Sequence, residues 1–183
     1  DMEKIRIAIE EVDRAAFTAV VDKMMEASHI YILGVRSSSF LAGYFHFYLH
    51  LIFDNVTLVT SSSAGDILES ILRIGPGDLL VGISFPRYSK ATVKGVQFAH
   101  DRGAEVVAIT DSPMSPLYPM ASSALLARSD MISFVDSLVA PFSLLNALIV
   151  AAGHRKDGDI AQTFNRLEGI WDEYGVFGYS DEN

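Results

Sequence analysis

The sequence predicts an α/β protein, a doubly wound, five-stranded parallel sheet flanked by helices on both faces. Three observations lead there. Five short apolar runs recur along the chain, the kind of run buried on both faces of a parallel sheet. Segments with apolar residues at helical spacing separate them, and such alternation demands right-handed crossovers with helices on both faces. Two of the runs end in serine-bearing loops that open the next helix, at the edge where open α/β sheets bind ligands.

The elements follow in order. Residues from about Met2 to Glu26 read as helix, broken near Val12 with Asp13 as N-cap. Its apolar face carries Ile5, Ile9, Val12, Ala16, Val20 and Met24. Strands are expected at His29–Leu33, Val56–Val59, Asp78–Ile83, Glu105–Thr110 and Ser123–Ala127. Helical patterns fill Ser37–Phe53, Ala64–Leu72 and Lys90–Arg102, with turn signals at Gly75–Asp78 and Asp101–Ala104. Two more helices are expected, from about Asp136 to Gly153 and from about Asp157 to Tyr174. No repeat or low-complexity linker appears, so residues 1–183 read as a single domain on which the helices of residues 2–26 pack.

The bulk numbers exclude several classes. At 183 residues, 50% hydrophobic and 20% charged, the chain is long enough for a full core and too apolar for acidic disorder. A mean hydropathy of +0.27 leaves an apolar surplus, read as a subunit interface of a homo-oligomer, dimer or tetramer. The net charge of -9 argues against a nucleic-acid surface within these residues. The absence of cysteine excludes disulfides, thiol catalysis and cysteine-ligated metal, and suits a cytoplasmic protein. The chain opens on the charged DMEKIRIAIEEVDR, with no signal peptide; the Asp before Met2 suits a fragment of something longer or a tag scar. The apolar stretch Leu138–Ala152 has 15 residues, against the ~20 a spanning helix needs, and is read as buried in the core or between subunits.

The chemistry concentrates in two loops. The first, Tyr31–Ala42, holds Gly34 for a tight turn and Arg36, Ser37 and Ser38 at a helix start. Helix capping and anion binding both account for its serines. It fails the dinucleotide fingerprint because Arg36 stands at the second glycine position, so no cofactor is expected. The second loop, Leu79–Val93, holds Ser84, Pro86, Arg87, Ser89 and Lys90. From Ser84 to His100 there are three cations, Arg87, Lys90 and Lys94, and no carboxylate. Arg offers a planar fork for phosphate and Lys a compact charge. Lys90 and Lys94 could equally share one solvated helix face. Ser61, Ser62 and Ser63 follow the second strand and either cap a helix or line a pocket. Asp136 and Ser137 open the long apolar helix, as caps or as groups reaching a pocket across a dimer. His46 and His50 have the i, i+4 spacing that zinc sites also use, but their aromatic neighbours point to packing, and no metal is expected.

These segments resemble the SIS (sugar isomerase) domain, whose fold is flavodoxin-like. The first loop of that family reads G-x-G-x-S-x-x-x-A; Gly34, Ser38 and Ala42 match and Arg36 departs. The second reads S-x-S-G-x-T in the enzymes; Ser84 matches, Ser89 stands for the threonine, and Pro86 and Arg87 replace the inner serine and glycine. GISFPRYSK and ITDSPMSPL are similar to RpiR-type transcriptional regulators in particular, and the similarity extends over about residues 2 to 175. The resemblance implies a phosphosugar pocket with Ser38, Ser84 and Ser89 on the phosphate. It also implies an N-terminal helix-turn-helix domain, which these residues lack. They would then be the effector-sensing and dimerising part, touching DNA only through that domain.

Two functions are therefore expected to compete. One is a phosphosugar sensor that switches through differential affinity for two arrangements of a dimer, with Leu138–Ala152 as candidate interface. The other is a sugar-phosphate aldose–ketose isomerase, which needs a base at the C–H and an acid at the carbonyl oxygen. Glu69 and His154 are the nominees for those roles, and neither belongs to a catalytic motif.

Overall fold

The computed structural model describes residues 6–7, 10–129, 131–132 and 135–176, with the backbone alone at 131–132, 135–136, 157 and 159. Residues 6–7 and 10–11 are helical, and the chain breaks at Val12. Asp13 then caps α1 (Arg14–Glu26), its carboxylate accepting from the N–H groups of Ala15 and Ala16 at 2.8 and 3.1 Å. There follow β1 (Ile30–Gly34), α2 (Ser38–Ile52), β2 (Val56–Val59), α3 (Ala64–Ser70) and β3 (Leu79–Ile83). Next come α4 (Lys90–Asp101), β4 (Glu105–Thr110), a 3-10 turn at Tyr118–Met120 and β5 (Ser123–Leu126). These strands and helices lie within two residues of the bounds expected from the sequence.

All five strands pair in parallel, in the order β2-β1-β3-β4-β5. Alternation along each strand divides its side chains between two cores. Ile30 and Ile32, Leu79, Val81 and Ile83, and Val107 and Ile109 join one core with residues of α1, α2 and α5 (Val139–Arg155). Leu33, Leu80, Val106 and Ala108 join the other, with Ile67 and Ile71 at α3 and Val96 and Ala99 of α4. The sheet is thus wound on both faces. Lys23 of α1 closes an ion pair with Glu105 at the start of β4, N···O 2.6 Å. That ammonium and the Ser122 hydroxyl hold the Glu105 carboxyl below its usual range.

The last third departs from expectation. Val135–Asp136 (β7) pairs antiparallel with Met131–Ile132 (β6), and α5 begins at Val139 with Leu138 as N-cap. Neither Asp136 nor Ser137 occupies the cap position. The start is set by Pro141, which fits only the first turn, where a missing N–H costs nothing. Of the two expectations for Leu138–Ala152, the core accounts for one face of the helix, while Asn146, Ala147 and Val150 on it are exposed. Ala140, Pro141, Leu144, Leu145, Leu148 and Ala152 are buried in this domain's own core, so much of the apolar surplus serves internal packing. The exposed large apolar side chains include Phe40, Phe47 and Tyr48 on α2. The chain continues into α6 (Asp157–Tyr174). Among the described residues, no helix is long and apolar enough to cross a membrane.

Two connections matter most, those leaving β1 and β3. At the first, a Cβ on Gly34 would stand 2.5 Å from the Ser38 carbonyl oxygen, so only glycine lets α2 start this close to the strand end. Arg36 has φ 58° and Arg87, in the second connection, φ 65°. These are the non-glycine residues with left-handed backbone among those described, a conformation that costs an L-residue about 1–2 kcal/mol.

Two stability outcomes follow. Leu148→Ala should lower unfolding free energy by about 2–5 kcal/mol in denaturant titrations, whereas the exposed Val150→Ala should change it by less than about 0.5 kcal/mol. A Leu148→Ala cost as small as that of Val150→Ala would show that α5 is not core. Arg36→Gly should raise stability by about 1 kcal/mol through relief of the left-handed strain, and Arg36→Ala should not. Equal stability of the two variants would remove the strain argument.

Candidate functional site

The order β2-β1-β3 reverses the direction of winding between β1 and β3. Their following helices, α2 and α4, leave toward opposite faces and open a crevice at the carboxyl ends of the strands. Both serine loops meet there. Val35, Arg36, Ser37, Ser38, Ser84, Phe85, Pro86, Arg87 and Ser89 line one cleft of about 40 Å³. The cleft is small, and its exposed lining residues Arg36, Ser37, Pro86 and Arg87 leave it open at the mouth.

Ser38 and Ser84 are 5% and 3% exposed. No hydrogen bond claims either hydroxyl among the described residues, although both line the opening. The fully buried hydroxyls without a partner among the described residues are those of Thr92 and Ser129; those of Ser38 and Ser84 instead belong to residues that line an open cleft, where an acceptor from outside can reach them. Ser37 holds the N-cap position of α2 without a side-chain cap bond, which removes capping as the explanation for it. The N–H groups of Ser38, Ser39 and Phe40 are already directed at carbonyls three residues back, at 3.0–3.4 Å. The first loop therefore offers hydroxyls more than free amides. The second offers both. Ser89 caps α4 with a long 3.5 Å bond from the Thr92 N–H, while the N–H groups of Lys90 and Ala91 have no backbone partner. An anion at that helix start gains from the dipole.

The end of β4 holds the second loop in place. The Ser84 N–H donates to the Ile109 carbonyl at 3.1 Å. The buried Thr110 hydroxyl donates to the Ser84 carbonyl at 2.7 Å, with Asp111 Oδ1 3.2 Å away. Tyr88 Oη donates to Asp111 Oδ1 at 2.8 Å. Burial, reinforced by the Asp111 carboxylate, raises the Tyr88 phenol above its ordinary value, so it remains a donor at neutral pH. Left-handed Arg87 is thus clamped between two fixed neighbours. Sequence reasoning missed Thr110, Asp111 and Tyr88 as supports; their signal was ITDSPMSPL for the first two and GISFPRYSK for Tyr88, segments that resemblance singled out without giving these residues a physical role.

The remaining candidates lie elsewhere. Lys90 is exposed and outside the cleft lining. Ser63 caps α3, accepting from the Asp66 N–H at 3.2 Å, and Ser61 bonds Asp66 Oδ2 at 2.9 Å. Ser62 is exposed beside them, and none of the three lines the cleft. Ser137 precedes the N-cap of α5, and the side chain of Asp136 lies outside what the structure describes. Glu69 and His154 are exposed and away from the cleft lining. The rings of His46 and His50 stand 5.7 Å apart, and burial, followed by the second imidazole, lowers the His46 value. No group of three potential metal ligands occurs among the described residues. A larger hollow of about 530 Å³, lined by His50, Asn55, Lys156 and Thr163, sits at the opposite end of α2 from the switch point.

Known proteins place this architecture. An HTH-type transcriptional regulator of Caldanaerobacter subterraneus subsp. tengcongensis, itself uncharacterized, is 26% identical over 99 residues, 52% of this chain and 35% of its own length. The chain spans between about a third and a half of the curated relatives it matches. The sugar isomerase domain of an RpiR transcription factor from Sphaerobacter thermophilus superposes with a TM-score of 0.86 at 23% identity, covering 91% of this chain and 93% of that one. The Vibrio vulnificus NanR protein complexed with ManNAc-6P gives 0.82 at 18% identity, covering 94% and 66%. The phosphoheptose isomerase GmhA from Neisseria gonorrhoeae gives 0.70 at 16%, covering 84% and 92%. At these identities the likeness establishes the fold, which regulators and isomerases share. The SIS domain family model matches residues 23–151, and the chain belongs to that family.

Proposed function

We propose that this chain is the phosphosugar-binding, dimerising part of a sugar-responsive transcriptional regulator of the cytoplasm, with DNA contacted through a helix-turn-helix domain outside these residues. One observation carries the reading. Ser38 and Ser84, from two loops on opposite sides of the switch point, line one small cleft together with Arg36 and Arg87, and no described hydrogen bond engages either hydroxyl. Ser89 and the α4 N-terminus supply further donors, and Lys90 adds positive charge at the same helix start. The NanR protein, with ManNAc-6P, has the same fold, which supports the ligand class.

The isomerase reading is favoured by the isomerases among the fold's relatives. Against it, no carboxylate or imidazole lines the cleft among the described residues, and both nominees for proton transfer, Glu69 and His154, are exposed outside it. Ser61–Ser63, Asp136 and Ser137 enter the proposal only as groups around the sugar end.

A phosphosugar at about 100 times its dissociation constant should stabilise the protein by about 2.7 kcal/mol, read as a rise in Tm; the free sugar should do far less. Equal protection by both would refute a phosphate anchor. Ser38→Ala and Ser84→Ala should each weaken binding about tenfold or more, the worth of one hydrogen bond to a charged group, with little change in the Tm of the ligand-free protein. Unchanged affinity in both variants would relocate the site. Steady turnover of a bound phosphosugar, abolished by Glu69→Gln or His154→Ala, would make the protein an isomerase.

A further inference from the structure

We propose that the exposed face of α2 is where a second copy of this chain docks, the two α2 helices crossing at Gly43 about a two-fold axis. Each cleft then stands beside the interface. The proposal deepens the sensor reading above by naming the surface through which its two copies meet.

α2 is apolar on more sides than its own domain uses. Leu41, Ala42, Phe45 and Leu49 are buried in the core shared with α1 and α5. Elsewhere on the helix, Phe40, Phe47 and Tyr48 are 71%, 58% and 37% exposed. The helix has no Lys, Arg, Asp or Glu, in a chain that is 20% charged. Rings exposed to that degree present about 300 Å² of aromatic surface, a patch of the size that often marks an interaction site.

These rings are held in place. Phe47 meets Tyr48 edge to face, Tyr48 meets Tyr44, and Tyr44 meets Phe142 of α5, each pair with centroids 5.1 Å apart. The Tyr44 hydroxyl also bonds the Asn146 side chain. That bond sets the exposed row Asn146, Ala147 and Val150 of α5 beside α2 and extends the patch toward the ~800 Å² that each side of a stable pair buries. Aromatic anchors already fixed lose little entropy on binding and dominate interface energies.

Charge and shape identify the occupant. A helix face without formal charge offers nothing to a nucleic acid or a charged peptide, and it suits a face equally uncharged. Copies with a net charge of -9 repel one another at long range, so close contact is least opposed where that charge is absent. The shape is self-complementary. Residues 40, 43, 44 and 47 are the four corners of a hole on the helix surface, and at Gly43 an added Cβ would have no atom within 4 Å. Knobs and hole thus lie on one helix, and a two-fold axis at Gly43 sets each copy's phenylalanines against the other's gap. Ser37 is six residues away, about 9 Å along the helix. A ligand that engages Ser38 therefore acts on the element the two copies share.

Sedimentation of the ligand-free protein over a dilution series reads the dissociation constant of the pair. Phe47→Glu, outside the cleft lining, should raise it about thirtyfold or more. Leu72→Glu, at a residue 59% exposed beside α3 on the other face of the sheet, should leave it within about threefold. The chain has no cysteine, so Gly43→Cys supplies a single thiol at the crossing. Diamide should link it into disulfide-bonded pairs and should fail to link Leu72→Cys. Thermal melting checks each variant's fold, and the cross-link decides the matter if Phe47→Glu does not fold. A wild type that sediments as a monomer throughout, or Phe47→Glu and Leu72→Glu that pair alike, would overturn the surface. Pairs that resist linking at residue 43 would overturn the crossing. None of these outcomes involves a ligand, so all of them spare the phosphosugar site, whose own failure is read separately as absence of protection by phosphosugars.

Discussion

The pairing of β1 with β3 is the constraint on which the rest depends. In a parallel sheet every strand sends its chain across one face, and a right-handed crossover decides which. β1 turns back to β2 on one side and β3 goes on to β4 on the other, so the two neighbours launch α2 and α4 apart. β2 also sends α3 to the face of α4, but its connection runs back over β1 toward β3, whereas the connections from β1 and β3 diverge along the sheet. The resulting gap is a consequence of strand order, present whatever side chains fill it. Gly34 sharpens it by letting α2 begin almost in contact with the strand end.

What fills the gap is held from the neighbouring strand. Thr110 and Asp111, at the end of β4, bond Ser84 and Tyr88, and the short stretch between these anchors has little freedom left. A left-handed arginine is unfavourable on its own, but it is tolerated where residues before and after it are fixed by buried hydrogen bonds. The energetic logic is that of preorganisation. Ordering of the second loop is done during folding, so on the proposed reading a ligand would meet Ser84 already in place and lose less entropy on binding.

Much of this was legible in the sequence. Five apolar runs, each bounded by turn residues, located the strands, because strands buried on both faces leave no polar alternation to confuse them. Serines and cations after the first and third strands marked the loops that the fold brings together. The last third was harder. An apolar stretch of 15 residues looks the same whether it faces a partner or its own sheet, and α5 turned out to bury Leu144, Leu145 and Leu148 internally. β6 and β7 are two residues each, below the length at which periodicity says anything. Left-handed backbone at Arg36 and Arg87 was also invisible, because arginine is not a residue that advertises it.

The titration behaviour of the lining decides what such a cleft can do unaided. Arginine stays protonated throughout the accessible pH range, and serine hydroxyls without a neighbouring base are poor nucleophiles. Tyr88, the nearest phenol, is pushed further from neutrality by burial and by Asp111, and Asp111 is engaged in supporting the loop. Among the described residues, the lining holds no carboxylate and no imidazole. A reaction that moves a proton between adjacent carbons would have to bring its base from outside the lining. Recognition of an anion needs nothing more than donors held at fixed positions, and those are the groups this sheet edge presents.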